Sequence, residues 1–342
     1  MEFLRLANAP RVSSLGGINV AHPDKDISFA LQNPALMRPA MHNQLGLSYN
    51  AFFGGTSIAN LNYGYHMQKL NTSFLFGVQY INYGSLTQTD YVGNIYGNFR
   101  AVDYALTLGA SRQYGKSWRY GAAVKFAQSA YFDKSQIAAL MDVGVNYYDT
   151  GSLWQVGIVA KNIGVVANRF NRDNPAEPLP FDLQIGISKQ MKHIPLRLFA
   201  TVHHLYEWDI RYDNPADREV STLFNSNDST QKEKSYFADK LFRHFIFGAE
   251  LTIAKRVTIG VGYNHLRRGE LVVADKPGLA GFSFGIGVDL KRFHVQYGRS
   301  QYHIAGAYNE FGIRMQLNKL FGMGKMTDRM HWDASYPDWD GE

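Results

Sequence analysis

Apolar and polar residues alternate with a period of two over most of the chain. The clearest stretch is Gly281–Leu290. There Gly281, Ser283, Gly285, Gly287 and Asp289 interleave with Phe282, Phe284, Ile286, Val288 and Leu290. Period two puts successive side chains on opposite faces of a strand. One face is uniformly apolar and the other is Gly, Ser and Asp. Such a strand suits a wall with lipid on one side and a crowded or wet interior on the other.

The unit recurs from Gln44 onward, beginning with Leu45, Leu47, Tyr49 and Ala51 against Gly46, Ser48 and Asn50. The pattern predicts about fourteen strands, an even number, as a closed single-chain barrel requires. The connections are sorted by length. Short ones fall at Gln68–Asn71, Gln113–Ser117, Asp149–Ser152, Gln190–Ile194, Lys255-Arg256 and Lys291-Arg292. Longer ones fall at Gly84–Arg100, Gly164–Phe181, Tyr206–Arg243 and Arg267–Ala280. Short periplasmic turns and long outer loops are the habit of outer-membrane barrels, and both chain ends then lie on the periplasmic side.

The predicted fold is therefore all-β: a transmembrane antiparallel β-barrel of about 14 strands over residues 44–317. Residues 1–43 do not read as strands. They read as short helical turns around Asn33-Pro34-Ala35, because Pro34 pushes Asn33 out of the helical region. Nearly every strand carries an inward Gly, among them Gly46, Gly64, Gly121, Gly157, Gly260 and Gly312. Either these glycines let the wall bend or they make room for another backbone. The second alternative makes residues 1–43 a hatch that plugs the lumen, since a barrel this wide is otherwise open. Residues 318–342 are expected to form a periplasmic tail, with Trp332, Tyr336 and Trp339.

Composition narrows the class. The 342 residues include 22 Phe, 21 Tyr, 5 Trp and 32 Gly, and only 19% are charged. A mean hydropathy of −0.27, with no long apolar run, excludes a helical membrane protein. The net charge is +6. Its Lys and Arg are scattered through turns instead of gathered on one element, which argues against nucleic acid. No cysteine is present, so disulfides and thiolate metal sites are excluded. Met1–Leu6 lacks the apolar core of a cleavable signal peptide. If the protein is exported, the numbering is expected to start on a mature or trimmed chain.

Chemical motifs are sparse. The glycines keep strand spacing, unlike a phosphate loop, and no HExxH occurs. His203-His204, as neighbours on a strand, should point to opposite faces and so share no metal. Asp24 and Asp26 read as a solvated acidic turn. Inward Asp142, Glu250, Asp289 and Glu310 should pair with inward Lys125, Lys161, Arg197 and Arg314, tying a plug to the wall. No catalytic, cofactor or metal residues are expected, and so no enzyme. The longest loop carries Trp208, Tyr212, Phe224, Tyr236 and Phe237 among charges, a composition that suits a partner interface.

Leu15-Gly-Gly17, Asp24–Ile27 and Asn33-Pro34-Ala35-Leu36 before the first strand resemble the FadL-type fold. Within it the chain resembles the PorV/PorQ group of the type IX secretion system, and in Phe3–Leu6 and Ile27–Leu36 its PorQ branch. Lys161-Asn-Ile-Gly164 at a strand end also fits this group. Asn-Pro-Ala recurs at 174–176 and 214–216, but only the N-terminal copy has the hatch context. The resemblance implies a non-enzymatic outer-membrane anchor in the attachment complex. It would hold a PorZ-like surface protein, alongside PorU and PorV-like proteins, while cargo is processed and joined to lipopolysaccharide. The alternative is a FadL-like channel for hydrophobic small molecules, which needs an apolar pocket and a path beside the hatch.

Overall fold

The computed structural model describes residues 1–168, 178–211, 237–271, 278–290, 293–303 and 306–318. Fourteen antiparallel strands close into one barrel in sequence order, with β1 (Gln44–Ala51) pairing both β2 (Ser57–Met67) and β14 (Gly306–Gln316). The closing register runs from Gln44↔Gln316 to Ala51↔Asn309. Among the described residues no helix is long and apolar enough to cross a membrane.

The wall is uneven. The strands β3 (Thr72–Thr89), β4 (Ile95–Tyr114), β5 (Trp118–Tyr131), β6 (Lys134–Asp149) and β7 (Trp154–Asn168) are 14 to 20 residues long. The strands β8 (Asp182–Gln190), β9 (Leu196–Val202), β10 (Phe245–Ile253), β11 (Val257–Asn264) and β12 (Phe282–Asp289) are 7 to 9 residues long. The strand β13 (Phe293–His303) has 11. The predicted loop 84–100 is mostly strand. The β3–β4 hairpin continues through Ser85↔Arg100 to Thr89↔Ile95, with a bulge between Asn82 and Ser85 where Gly84 turns left-handed. That bulge interrupts the alternation from which a loop was inferred.

Along each strand the polar or small residue is buried and its apolar neighbour faces out. In β1, Gly46, Ser48 and Asn50 are buried while Leu47 and Tyr49 are exposed. Tyr114, Trp118 and Trp154 are exposed near the short turns, where an aromatic girdle meets a membrane interface. In a soluble protein this outer face would be an aggregating surface. Here it is the lipid-facing band of a multi-pass barrel in the bacterial outer membrane.

Residues 1–43 form α1 (Pro10–Ser14) and several single 3-10 turns, almost all buried. They pack against inward side chains from opposite parts of the wall. Val12 and Leu15 cluster with Phe199 of β9, whereas Ile27, Met37 and Met41 cluster with Leu75 of β3. Two short helices, α2 (Phe237–Arg243) and α3 (His265–Leu271), flank the starts of β10 and β12. The predicted tail beyond Asn318 lies outside the described residues.

Candidate functional site

The inward glycines meet the N-terminal segment at backbone distance. A β-carbon on Gly64 would lie 2.6 Å from the Met41 carbonyl oxygen, and one on Gly121 2.6 Å from the Pro34 carbonyl carbon. Gly298 faces the Pro10 backbone in the same way, whereas Gly312 meets the Pro10 ring and Gly285 the Ser14 side chain. Gly109 is different: its nearest neighbours are Ala123 and Leu75 of the wall itself. The glycines therefore serve mainly close approach, with wall packing as the exception.

One side of the segment is held by buried charge. Arg11 of α1 donates from Nε to Glu250 Oε2 of β10 at 2.7 Å and from Nη2 to Oε1 at 2.5 Å. Its Nη1 binds Asp24 and lies 3.6 Å from Asp26 Oδ2. Asp26 also sits 3.4 Å from Arg314 of β14 and accepts from Gln296 of β13 at 2.8 Å. Burial alone would raise the pKa of Asp24 and Asp26, but Arg11 and Arg314 outweigh it and hold both carboxyls below the usual range. His22 stacks on Phe29 with ring centres 3.9 Å apart and on Phe199 at 4.9 Å. Burial lowers its pKa and keeps it neutral against Glu250.

Asp26 is thus buried, and Asp24, with about a third of its side chain still exposed, pairs with the buried guanidinium of Arg11 instead of forming a free acidic turn. Of the inward acids, Glu250 does reach the segment. Asp142 instead pairs with Lys125 within the wall at 2.6 Å. Glu310 accepts from Ser13 at 2.5 Å and Ser48 at 3.0 Å, and Asp289 takes His294 at 2.7 Å. Arg11, the residue that gathers the network, lies 239 positions from Glu250 and carried no motif.

The opposite side, between β7 and β8, is built differently. Lys161 and Asn162 together oppose the single residue Asp142, a β-bulge, with Asn162 left-handed at φ 58°. Asn162 N–H donates to Asp142 at 2.8 Å, and its side chain donates to the Pro180 carbonyl at 2.9 Å. The bulge presses β7 onto β6, so a β-carbon on Gly164 would lie 2.8 Å from Leu140 Cα. β8 pairs with β7 only up to Lys161↔Asp182, while β7 runs on to Asn168 paired with β6 alone. Behind this seam lie two cavities of about 40 and 30 Å³. Leu4, Leu6, Gln32 and Lys161 line both. At Lys161 the segment offers the wall an uncharged acceptor, the Leu31 carbonyl, 3.1 Å from Nζ.

Asn33, Pro34 and Ala35 are all buried. Asn33 caps the turn Pro34–Leu36 by accepting from Ala35 N–H at 3.0 Å, and it donates to the Val20 carbonyl at 3.1 Å. Trp208 and Phe237 come together, ring centres 5.4 Å apart, both exposed. Tyr212, Phe224 and Tyr236 lie outside the described residues.

His203 and His204 overturn a sequence expectation. Both follow β9, and His204 is left-handed at φ 55°, so the alternation ends there. Their Nδ1 atoms meet at 2.5 Å, with Asp182 Oδ2 3.9 Å from His204 Nδ1. Among the described residues these three form the one group that gathers three metal-type donors.

No family model and no curated protein matches the sequence. Solved structures do match in fold. The chain is similar to the CymD monoaromatic hydrocarbon channel, with a TM-score of 0.52 and 12% identity over 91% of this chain and 97% of that one. A TodX monoaromatic hydrocarbon channel mutant gives 0.49 and 13%, over 90% of this chain and 96% of that one. A Pseudomonas aeruginosa FadL homologue gives 0.46 and 11% over the same shares. Together with the closed wall and its lipid-like outer face, the match to CymD shows that the chain has the fold of a fourteen-stranded outer-membrane β-barrel.

Proposed function

We propose that the protein is an outer-membrane channel for small hydrophobic molecules, with residues 1–43 as its plug. The observation that carries this reading is the β7–β8 seam. Past Lys161↔Asp182 the wall loses a pairing, and directly behind it the packing is incomplete around Leu4, Leu6, Ile18 and Leu31. These apolar side chains would hold a small apolar guest on one side, while Gln32 and Lys161 give the same cavities a polar side. The hydrocarbon channel that shares the fold supplies the chemical class.

The test is uptake of radiolabelled toluene by cells that lack their own hydrophobic channels and express this barrel. Uptake should exceed that of the empty-vector cells and fall when Leu4→Trp fills both cavities. Uptake equal to the vector control sinks the channel.

A second reading is a non-enzymatic anchor in a type IX secretion attachment complex, holding a PorZ-like surface protein. It is favoured by the tip of the β3–β4 hairpin, at the end opposite the short turns. There Tyr91, Val92, Ile95 and Tyr96 are among the most exposed large side chains. A contiguous exposed apolar patch marks a contact surface. Stoichiometric recovery of a large surface protein with the tagged barrel, lost on replacing these four by serine, would select this reading.

A further inference from the structure

We infer that Asp182, His203 and His204 bind a divalent transition-metal ion of the zinc class. Asp182 opens β8 and the two histidines follow β9, whose pairing begins at Ile185↔Val202. The two strands stay joined past the ladder, shifted by one residue at the left-handed His204, since Leu205 N–H donates to the Leu183 carbonyl at 3.2 Å. It stacks the three side chains at the end of the wall away from the short turns.

The donor geometry fits an ion. One donor atom from each residue lies within 4.8 Å of the others. Two ligands of one zinc ion, each about 2 Å from it, are roughly 3–4 Å apart. The Nδ1–Nδ1 distance of 2.5 Å and the Nδ1–Oδ2 distance of 3.9 Å bracket that range. Two facing imidazole nitrogens repel unless a proton or a cation lies between them. All three residues are buried.

Arg5 lines the same cavity as Asp182 and His204, a positive charge that an ion must outcompete; the remaining neighbours do not block the donors. His244 is a satisfied histidine: its Nδ1 lies 2.8 Å from the His203 carbonyl and its Nε2 3.2 Å from the Trp208 carbonyl. His203 differs, because its Nε2 is buried with no hydrogen-bond partner. Lys161, the register partner of Asp182, turns its ammonium to the Leu31 carbonyl and not into the site. Gln184 donates to Asp182 Oδ2 at 2.6 Å, an outer-shell contact that orients the carboxylate. The cavity of about 40 Å³ borders Asp182 and His204 and has room for water in a fourth position. Imidazole and carboxylate together suit zinc or its first-row neighbours over calcium. Bound there, the ion would staple β8 to β9 at the point where the chain leaves the wall.

The experiment is titration of chelator-stripped, detergent-solubilised full-length protein with Co(II), read by its ligand-field absorption and by metal content after desalting. One ion per chain is expected. His203→Ala and, independently, His204→Gln should weaken binding by more than about 100-fold, beyond the loss brought by an outer-shell change. His42→Gln should leave it unchanged. The heat-dependent gel shift of a folded barrel selects the variants to be compared, and Asp182→Asn replaces either that fails to fold. Absence of saturable binding by the unaltered protein, or equal affinity in folded ligand variants, overturns the assignment. A neutral proton-sharing histidine pair would give that result.

Discussion

The N-terminal segment meets two unlike walls. Toward β10, β13 and β14 it is locked by buried ion pairs, and a cavity there, beside Arg11 and Glu250, is about 10 Å³. Toward β7 and β8 it is held through a lysine on a backbone carbonyl, with cavities three to four times larger. Buried charge pairs are poor sources of net stability but costly to break singly. The contrast therefore separates where the segment is fixed from where it can yield. A guest entering at the seam need not disturb the charge network across the lumen.

The most severe way to break this contrast is to remove the centre of the locked side. Arg11→Met takes the direct ion-pair partner from Glu250 and Asp24, leaving Asp24 only the more distant Arg314, while Asp26 keeps Arg314 close. Loss of one partner of a buried pair costs about 3–5 kcal/mol. Thermal unfolding in detergent should shift accordingly, and trypsin should gain access at Lys25. Glu250→Gln, which keeps the side-chain shape, should cost less. An Arg11→Met protein as stable and as protease-resistant as the parent would show that the charges do not fix the segment.

A gentler comparison uses glycines of neighbouring strands. Gly121→Ala drives a β-carbon against the Pro34 backbone, whereas the methyl of Gly109→Ala meets the Ala123 side chain at 3.3 Å. Overpacking against backbone costs about 1–3 kcal/mol. Gly121→Ala should lower the melting temperature and loosen the segment, with a smaller effect from Gly109→Ala. Equal effects from both would mean that the glycines serve the curvature of the wall.

The barrel was legible in the sequence because lipid and lumen impose opposite demands on alternate residues, repeated in strand after strand from Leu45–Ala51 to Phe311–Leu317. The site was legible only in part. Glu250 and Arg314 could be placed on the inward face by parity, but their partners Arg11 and Asp26 lie on a segment without periodicity, joined to them only by folding. The bulge at Lys161-Asn162 was hidden because one extra residue looks like continued alternation until the facing strand is known. His204 defeated the parity rule, since a left-handed residue after a strand end carries no pattern of its own. The hairpin at 84–100 was missed for the same reason, with Gly84 left-handed inside a bulge.

The smallest expected effect sharpens the contrast most. Lys161→Met removes the Leu31 contact and a buried charge together; a hydrogen bond from a charged group is worth about 1.5–3 kcal/mol, and relief of the charge burial offsets much of it. Its consequence should be local. The chain has no cysteine, so a single introduced thiol reports one place. Leu4→Cys, at the seam cavities, and Val12→Cys, on the locked side, are both buried in the parent. In Lys161→Met the thiol at position 4 should react with a maleimide several-fold faster, while that at position 12 stays protected and the melting temperature barely moves. Acceleration at both positions would mean that the segment moves as one body, and the division between a fixed side and a yielding side would be wrong.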